Sequence, residues 1–252
     1  MPDHHQEHLL IISAGENIHN TYSISVQKYD PSHVIVMVEN EMLNIQNGDS
    51  ESLKERKTNI KTAIAKVKHR VNSDNRREFK LIHLSELNQD VIRDAILKIR
   101  NQHKNAAFSF NVTAGTALFS TSLFLMAVWL GGNVCITRTP DSLIELKIPK
   151  MSVSELENYP DLIRVVIILG NKVRNKNIDI RDGWMKNKDI LIELGMINSS
   201  SERLSGNDKV NQSRDMKKLK SWDLVEEKRS GRDVLYRLTS DGIFAYNIFK
   251  EQ

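Results

Sequence analysis

The stretch AAFSFNVTAGTALFSTSLFLMAVWL, residues 106–130, decides the fold. Its first seven residues are a short, mostly apolar run of the kind that makes a buried strand. Ala117 to Leu130 is apolar nearly all the way round, and Gly131-Gly132 behind it supplies the stop that a helix end favours. Between the two, Thr113-Ala114-Gly115-Thr116 breaks both patterns. Strand, glycine turn and apolar helix make one βα unit. Working outward, further strands are expected at residues 9–13, 33–39, 79–84 and 133–137, with a last one near 143–148. Helical periodicity fills the gaps: Leu53, Ile60, Ile64 and Val67 form an apolar stripe on a lysine- and arginine-rich segment over 52–71, and residues 91–99 make a second amphipathic helix. The charges of the 52–71 segment read as a solvated face. The alternation predicts an α/β, Rossmann-like, mostly parallel sheet.

A helix as apolar as 117–130 cannot face water, and it falls short of the roughly 20 residues that span a bilayer. It is either sandwiched inside its own domain or shared across a two-fold axis with a second subunit. The second reading is favoured and implies a homodimer. Pro140 and Pro149 bracket the last strand, and residues 151–160 have the polar composition of a connector, so the expected division is 1–149, a linker at 150–160, and 161–252. Cys135 is the only cysteine, which excludes an intrachain disulfide or a cysteine-rich zinc site and fits a reducing cytoplasm. The opening Met1-Pro2-Asp3-His4-His5 has no signal-peptide order. His4, His5 and His8 sit together at a chain end, where geometry is rarely held, so no metal site is expected. The formal charge of +4 is too small to identify a partner by itself.

In an open α/β sheet, ligands sit outside the carboxyl ends of the strands, where backbone N–H groups and helix starts point outward. Two loops fall there: Ser13, Ala14, Gly15, Glu16 and Asn17 after the first strand, and Asn111, Val112, Thr113, Ala114, Gly115 and Thr116 after the fourth. Short hydroxyl and amide side chains around a glycine suit phosphate oxygens. The alternative is that Thr113 and Thr116 simply cap the following helix. Neither GxGxxG nor GxxxxGK[ST] occurs.

The loop from Asn111 to Ala117, in its strand–loop–helix setting, resembles the Asn-x-Thr/Ser-Gly-Gly-Thr-Lys/Arg-like signature of the CRISPR-associated Rossmann-fold (CARF) domain. The resemblance covers about Leu9 to Ile148. It implies a two-fold dimer that binds a cyclic oligoadenylate second messenger across a shared cleft lined by both loops of each subunit, with cyclic tetra-adenylate as the candidate effector and no other cofactor. Ala114 stands at a glycine position of the signature, and Ala117 replaces the basic residue, which removes a charge-assisted phosphate contact and the cation that self-cleavage of the ligand would want.

From Tyr159 onward the pattern becomes three helices and a hairpin. Leu162 to Leu169 is expected to stop at Gly170, and Gly195-Met196-Ile197 resembles a helix-turn-helix elbow, followed by a long polar stretch over 198–208. Asn211 to Trp222 is the candidate recognition helix: Met216, Leu219 and Trp222 share one face, Arg214, Lys217, Lys218 and Ser221 the other, and Gln212 and Ser213 lie near its start, placed to read bases. The alternative is an ordinary solvated basic face. Val234, Tyr236 and Leu238 alternate as a half-buried strand, making a hairpin tipped by Arg229 and Arg232, and Thr239 is placed to cap a last helix. The run Met216–Thr239 resembles winged-helix repressors.

The whole is similar to CARF–winged-helix regulators, which implies a ligand-responsive, double-stranded-DNA-binding transcriptional regulator of CRISPR-associated genes. The enzyme reading is a CARF-controlled nuclease acting on RNA or on the cyclic ligand, and a third is an adaptor whose winged helix binds protein. All eight histidines lie at or before His103, so the C-terminal half has none to serve as general acid or base, and no catalytic residue is assigned. Arg77 and His83 have the spacing of a ribonuclease pair but border an expected core strand, and they are read as structural.

Overall fold

The strand His8–Ser13 (β1) buries every residue after the first, and His33–Glu39 (β2) buries everything between its ends, as central strands of a parallel sheet must when helices cover both faces. The computed structural model describes residues 7–175, 183–199 and 205–250. The chain divides into two compact units, Met1–Ile148 and Pro149–Gln252.

In the first unit six strands lie in the order β3-β2-β1-β4-β5-β6, with β3 at Glu78–Leu84, β4 at Ala107–Asn111, β5 at Asn133–Thr139 and β6 at Ser142–Leu146. The first five are parallel and β6 runs antiparallel to β5, so this unit is α/β with a mostly parallel sheet. The two-residue period of a strand sorts β1 onto two cores. Leu10 and Ile12 pack with Ile18, Ile60, Ala63 and Val67 under helices α1 (Ile18–Tyr29) and α2 (Glu51–Asn72). Leu9 and Ile11 face Ile92, Ile96, Leu123 and Met126 of α3 (Gln89–Gln102) and α4 (Ala117–Leu130).

Helix α4 has the expected bounds, opened by Thr116 Oγ1 accepting from Phe119 N at 3.3 Å and closed by Gly131 at φ +62°. Only one side of it is covered. Phe119, Leu123, Met126 and Ala127 are buried, whereas Leu118 and Val128 are exposed and Trp129 is 65% exposed. No described helix is long and apolar enough to cross a membrane.

The second unit packs α6 (Pro160–Asn175), α8 (Gly206–Ser221) and α9 (Ser240–Phe249) with a three-stranded antiparallel sheet in the order β7-β9-β8. Its strands are β7 (Met185–Lys186), β8 (Val225–Ser230) and β9 (Asp233–Leu238), and α7 (Asn187–Glu193) follows β7. Leu162, Val166, Leu169, Met216, Leu219, Tyr246 and Phe249 form its core. Two readings of the sequence are corrected here. Residues 151–160 contain a short helix, α5 (Val153–Glu157), capped by Ser152 and anchored by the fully buried Leu156, because one apolar side chain at the right phase suffices to dock it. Gly170 does not stop its helix: α6 continues to Asn175, and a Cβ at Gly170 would lie 2.2 Å from the Tyr246 ring. The glycine is there so that α9 can approach, and Tyr246 Oη donates to Asn171 Oδ1 at 2.9 Å beside it.

In an open helix, glycine to alanine stabilises by about 0.5–1 kcal/mol. Here Gly170→Ala is expected to destabilise instead, by about 1–3 kcal/mol through overpacking, in a urea titration followed by far-UV circular dichroism.

Candidate functional site

The strand order reverses between β1 and β4, and their carboxyl ends carry the two loops singled out from the sequence. The loops touch. Ser13 Oγ donates to the Ala114 carbonyl, and a Cβ on Gly15 would fall 2.7 Å from that of Ala114, so Gly15 is required for the close approach. Gly115, at φ +87°, makes the turn into α4.

The site residues separate into supports and surface. Asn111 is fully buried and all its hydrogen-bonding capacity is used inside the unit: Nδ2 donates to Ser25 Oγ (2.7 Å) and Thr137 Oγ1 (3.1 Å), while Oδ1 accepts from Thr113 N (3.0 Å) and Thr113 Oγ1 (2.5 Å). It holds the loop rather than offering its amide to a ligand. Ser13, Ala14 and Val112 are likewise buried. Thr113 Oγ1 also accepts from Thr137 N at 2.7 Å, so both threonines are occupied structurally, Thr116 as the helix cap and Thr113 as a brace. Of the two loops, Glu16, Asn17, Gly115 and Thr116 are exposed, and Gly15, Thr113 and Ala114 are half-buried. Asn17 precedes α1 without a side-chain cap bond, which leaves the first N–H groups of that helix free of a side-chain acceptor.

A small cleft at these strand ends, of about 70 Å³, is lined by Ala14, Glu39, Arg56, Gly115, Thr116 and Phe119 among others. Arg56, on α2, adds a cation to this lining. Its Nε lies 3.7 Å from Glu16 Oε1, and Asn59 Nδ2 donates to Glu16 Oε2 at 3.2 Å. The Arg56 side chain is exposed, and nothing in the sequence sets it apart from the other cations of the helix. Its neighbour Lys57 departs from the expected solvated face more sharply: its side chain is 0% exposed, and Nζ donates to Asp49 Oδ2 (2.8 Å) and the Asn44 carbonyl (2.9 Å). The Gln46 N–H and the Lys57 ammonium hold the Asp49 carboxyl below its ordinary range. Arg77 and His83, read as structural, bond to Asp30 and Asp74 and to Asn40, respectively.

In the second unit, helix α8 begins five residues before the expected start, at Gly206, with Ser205 Oγ accepting from Asp208 N. Met216, Leu219 and Trp222 are buried as expected. Arg214, Lys217 and Ser213 are exposed. Lys218 is not on the outward face: its Nζ lies 3.5 Å from the centroid of the Tyr159 ring and 4.7 Å from that of Trp222, a cation–π clamp that fixes the helix end. Ser221, though exposed, donates its Oγ back to the Lys218 carbonyl (2.7 Å), and the half-buried Gln212 donates Nε2 to Asn187 Oδ1 (2.6 Å). Directly after α8, β8 and β9 pair through a two-residue turn at Gly231-Arg232 in which only Gly231 has positive φ, as a type II′ hairpin requires. Arg229 and Arg232 are exposed at its tip. Among the described residues, Arg214, Lys217, Arg229 and Arg232 form no salt bridge, whereas Lys220 pairs with Glu227 (2.7 Å) and Arg237 with Glu226 (2.6 Å). Residues 200–204, within the polar stretch before α8, and His4 and His5 lie outside the described residues.

No protein family matches the chain by sequence, and no curated protein does. Among solved structures it is similar to Csm6 of Enterococcus italicus bound to cyclic hexa-2′-fluoro-hexa-dAMP, at 11% identity and TM-score 0.40 over 84% of this chain and 53% of that one. It is also similar to Can2 from Sulfobacillus thermosulfidooxidans in complex with cyclic tetra-adenylate, at 11% identity and TM-score 0.36 over 96% and 61%. The protein VC1899 from Vibrio cholerae is matched at 12% identity and TM-score 0.38 over 96% and 65%. The chain thus spans between about half and two thirds of the length of these proteins.

Asn111→Ala strips several buried hydrogen bonds and is expected to destabilise the unit by about 2–4 kcal/mol, against about 1 kcal/mol for Thr116→Ala, in parallel denaturant titrations. The lowered Asp49 carboxyl stabilises the fold above the ordinary carboxylate range, and this contribution is lost as pH falls through the folded-state value. The stability gap between wild type and Asp49→Asn should therefore shrink on acidification, as read by thermal melts across pH.

Proposed function

We propose that this chain is a ligand-responsive DNA-binding regulator, with a CARF-like sensor in the first unit and a winged helix-turn-helix in the second, working as a homodimer in the cytoplasm. The observation that carries the reading is the exposed cation set of the second unit. Arg214 and Lys217 project from a helix whose other face is core, and Arg229 and Arg232 tip the hairpin that follows it. A helix flanked by a basic hairpin suits major-groove docking, with the hairpin arginines on the backbone or minor groove. Duplex DNA is therefore the partner. Other cations of this unit, among them Lys172, Lys186, Lys218, Lys220, Lys228 and Arg237, are engaged internally, so the exposed set is distinguished by structure and not by composition alone.

For the sensor, the supporting facts are the crevice at the strand-order reversal, the helix start at Thr116, and Arg56. The cleft of about 70 Å³ falls well below the range of about 300–1,000 Å³ typical of small-molecule sites, so a single subunit offers too little room for a whole cyclic oligonucleotide. Two copies facing each other would supply two clefts and two Arg56 guanidiniums to one symmetric polyanion. Cyclic tetra-adenylate is the effector we favour. Its phosphates would compete with Glu16 for Arg56, so that binding remakes the contact between the loop after β1 and helix α2. The bare side of α4, with Leu118, Val128 and Trp129, is the surface we assign to the second copy.

Gel-shift titrations of duplex DNA from the protein's own promoter, with and without cyclic tetra-adenylate, test the proposal. Binding should weaken steeply with salt, and Arg214→Ala or Arg229→Ala should each lower the salt slope by about 1. Arg56→Ala should weaken ligand binding by about 10- to 100-fold, and Trp129→Glu should shift the mass in light scattering to that of a monomer. Duplex binding that ignores salt and both arginine variants would overturn the DNA assignment. Chromatography of the recovered ligand separates a sensor, which returns it intact, from a ligand-cleaving enzyme.

A further inference from the structure

The sequence reading looks for metal ligands close together along the chain and finds none that would be held. The fold gathers them from a distance. Glu7, His33 and His103 meet at the amino ends of the central strands, the opposite end of the sheet from the cleft. We infer that these three residues form a binding site for a zinc-class divalent ion, tying the end of α3 to the starts of β1 and β2.

Each ligand is fixed by its backbone. The Glu7 carbonyl accepts from Ala107 N at 2.8 Å, which ties it to β4 just before β1 begins. His33 is the first residue of β2 and lies in register with Leu9 and with Glu78. His103 caps the end of α3, its N–H donating to the Ile99 carbonyl (3.0 Å) and its own carbonyl accepting from Ala106 N (3.2 Å). Three elements far apart in sequence therefore present their side chains with little freedom left to lose on binding.

The donor atoms converge. Glu7 Oε1 is 3.5 Å from His33 Nδ1 and 2.8 Å from His103 Nδ1, and one donor atom from each of the three residues lies within 4.8 Å of the others. Tetrahedral zinc with bonds of about 2.0–2.2 Å separates its ligands by roughly 3.3–3.6 Å. The Glu7–His33 edge already has that length, and the Glu7–His103 contact needs to open by well under 1 Å. The imidazoles are 18% and 17% exposed and Glu7 is 38% exposed, so an ion can enter and a fourth position faces solvent.

The surroundings fit as well. Glu78 Oε2 lies 3.3 Å from His33 Nε2, the carboxylate–histidine arrangement that turns the other ring nitrogen, Nδ1, toward a metal as a lone-pair donor. Ser32 Oγ, 3.0 Å from Nδ1, is the competitor that must yield, and it already has the His8 carbonyl (3.1 Å) as an acceptor. Two neutral imidazoles with a carboxylate match zinc in both charge and softness, and are a poor set for magnesium or calcium, which take oxygen ligands.

The test is zinc titration of the full chain by competition with a chromophoric chelator, in a His4→Ala/His5→Ala background so that the terminal histidines cannot contribute. One ion should bind per chain, with magnesium failing to compete, and affinity should fall as pH drops because protons compete for the imidazoles. His33→Asn and His103→Asn, which keep a side-chain amide near the lost Nδ1, should each lower affinity by about 10-fold or more, and Glu78→Gln by about 10-fold. Circular dichroism without zinc reports whether the variants remain folded, and melts with and without zinc should show the stabilisation only where affinity is retained. Absence of saturable binding to the folded background chain would overturn the site. So would binding that both asparagine variants leave unchanged, or melts whose response to the variants is the same with and without zinc.

Discussion

Everything at the carboxyl edge of the first unit depends on one buried amide. Asn111 joins the end of β4 to α1 through Ser25, to β5 through Thr137, and to its own loop through Thr113. An uncompensated amide in an apolar interior is costly, and here the cost is met at all four positions. The loop that leaves β4 is consequently rigid up to Thr116, where the cap of α4 takes over. The surface in front of it is formed by Glu16, Asn17, Gly115 and Thr116. The asparagine is a support beam behind that surface.

What the sequence made readable follows physical range. The strands, α4 and the closing hairpin each rest on local rules: apolar runs, a threonine cap, a glycine with positive φ. They appear where expected, to within one or two residues at most ends. Short helix α5 and the early start of α8 rest on local caps, Ser152 and Ser205, whereas other misses are decided by something distant along the chain. Gly170 looks like a stop until Tyr246, 76 residues later, is seen lying on it. Lys218 falls on the outward arc of its helix by phase, yet Tyr159 draws its ammonium inward. Lys57 could have been noticed, since it interrupts the apolar stripe between Leu53 and Ile60, but its partner Asp49 comes from the preceding loop. Arg56 was visible only as one charge among many.

The second unit shows the same sorting among its cations. Lys218 sits against aromatic rings, Lys228 and Arg237 flank Trp184 at 4.2 and 4.5 Å, and Lys220 is paired across to the hairpin. These contacts stiffen α8 and the sheet, so the remaining arginines and lysine project from a body with little play. A net charge of +4 conceals this division completely. Position, and not the total, distinguishes a cation that builds the domain from one that is available to a partner.

The register of β1 carries a consequence for biosynthesis. Its left and right neighbours are β2, beginning 25 residues further on, and β4, whose Ala107 pairs with His8. A ribosome making this chain releases β1 long before the strand that seals its second edge, and an unsealed apolar edge invites pairing with other nascent chains. Non-local parallel pairing of this kind is slow to form. The N-terminal half therefore leans on chaperone shelter, or on rapid docking of α1 and α2, until the residues around Phe110 emerge.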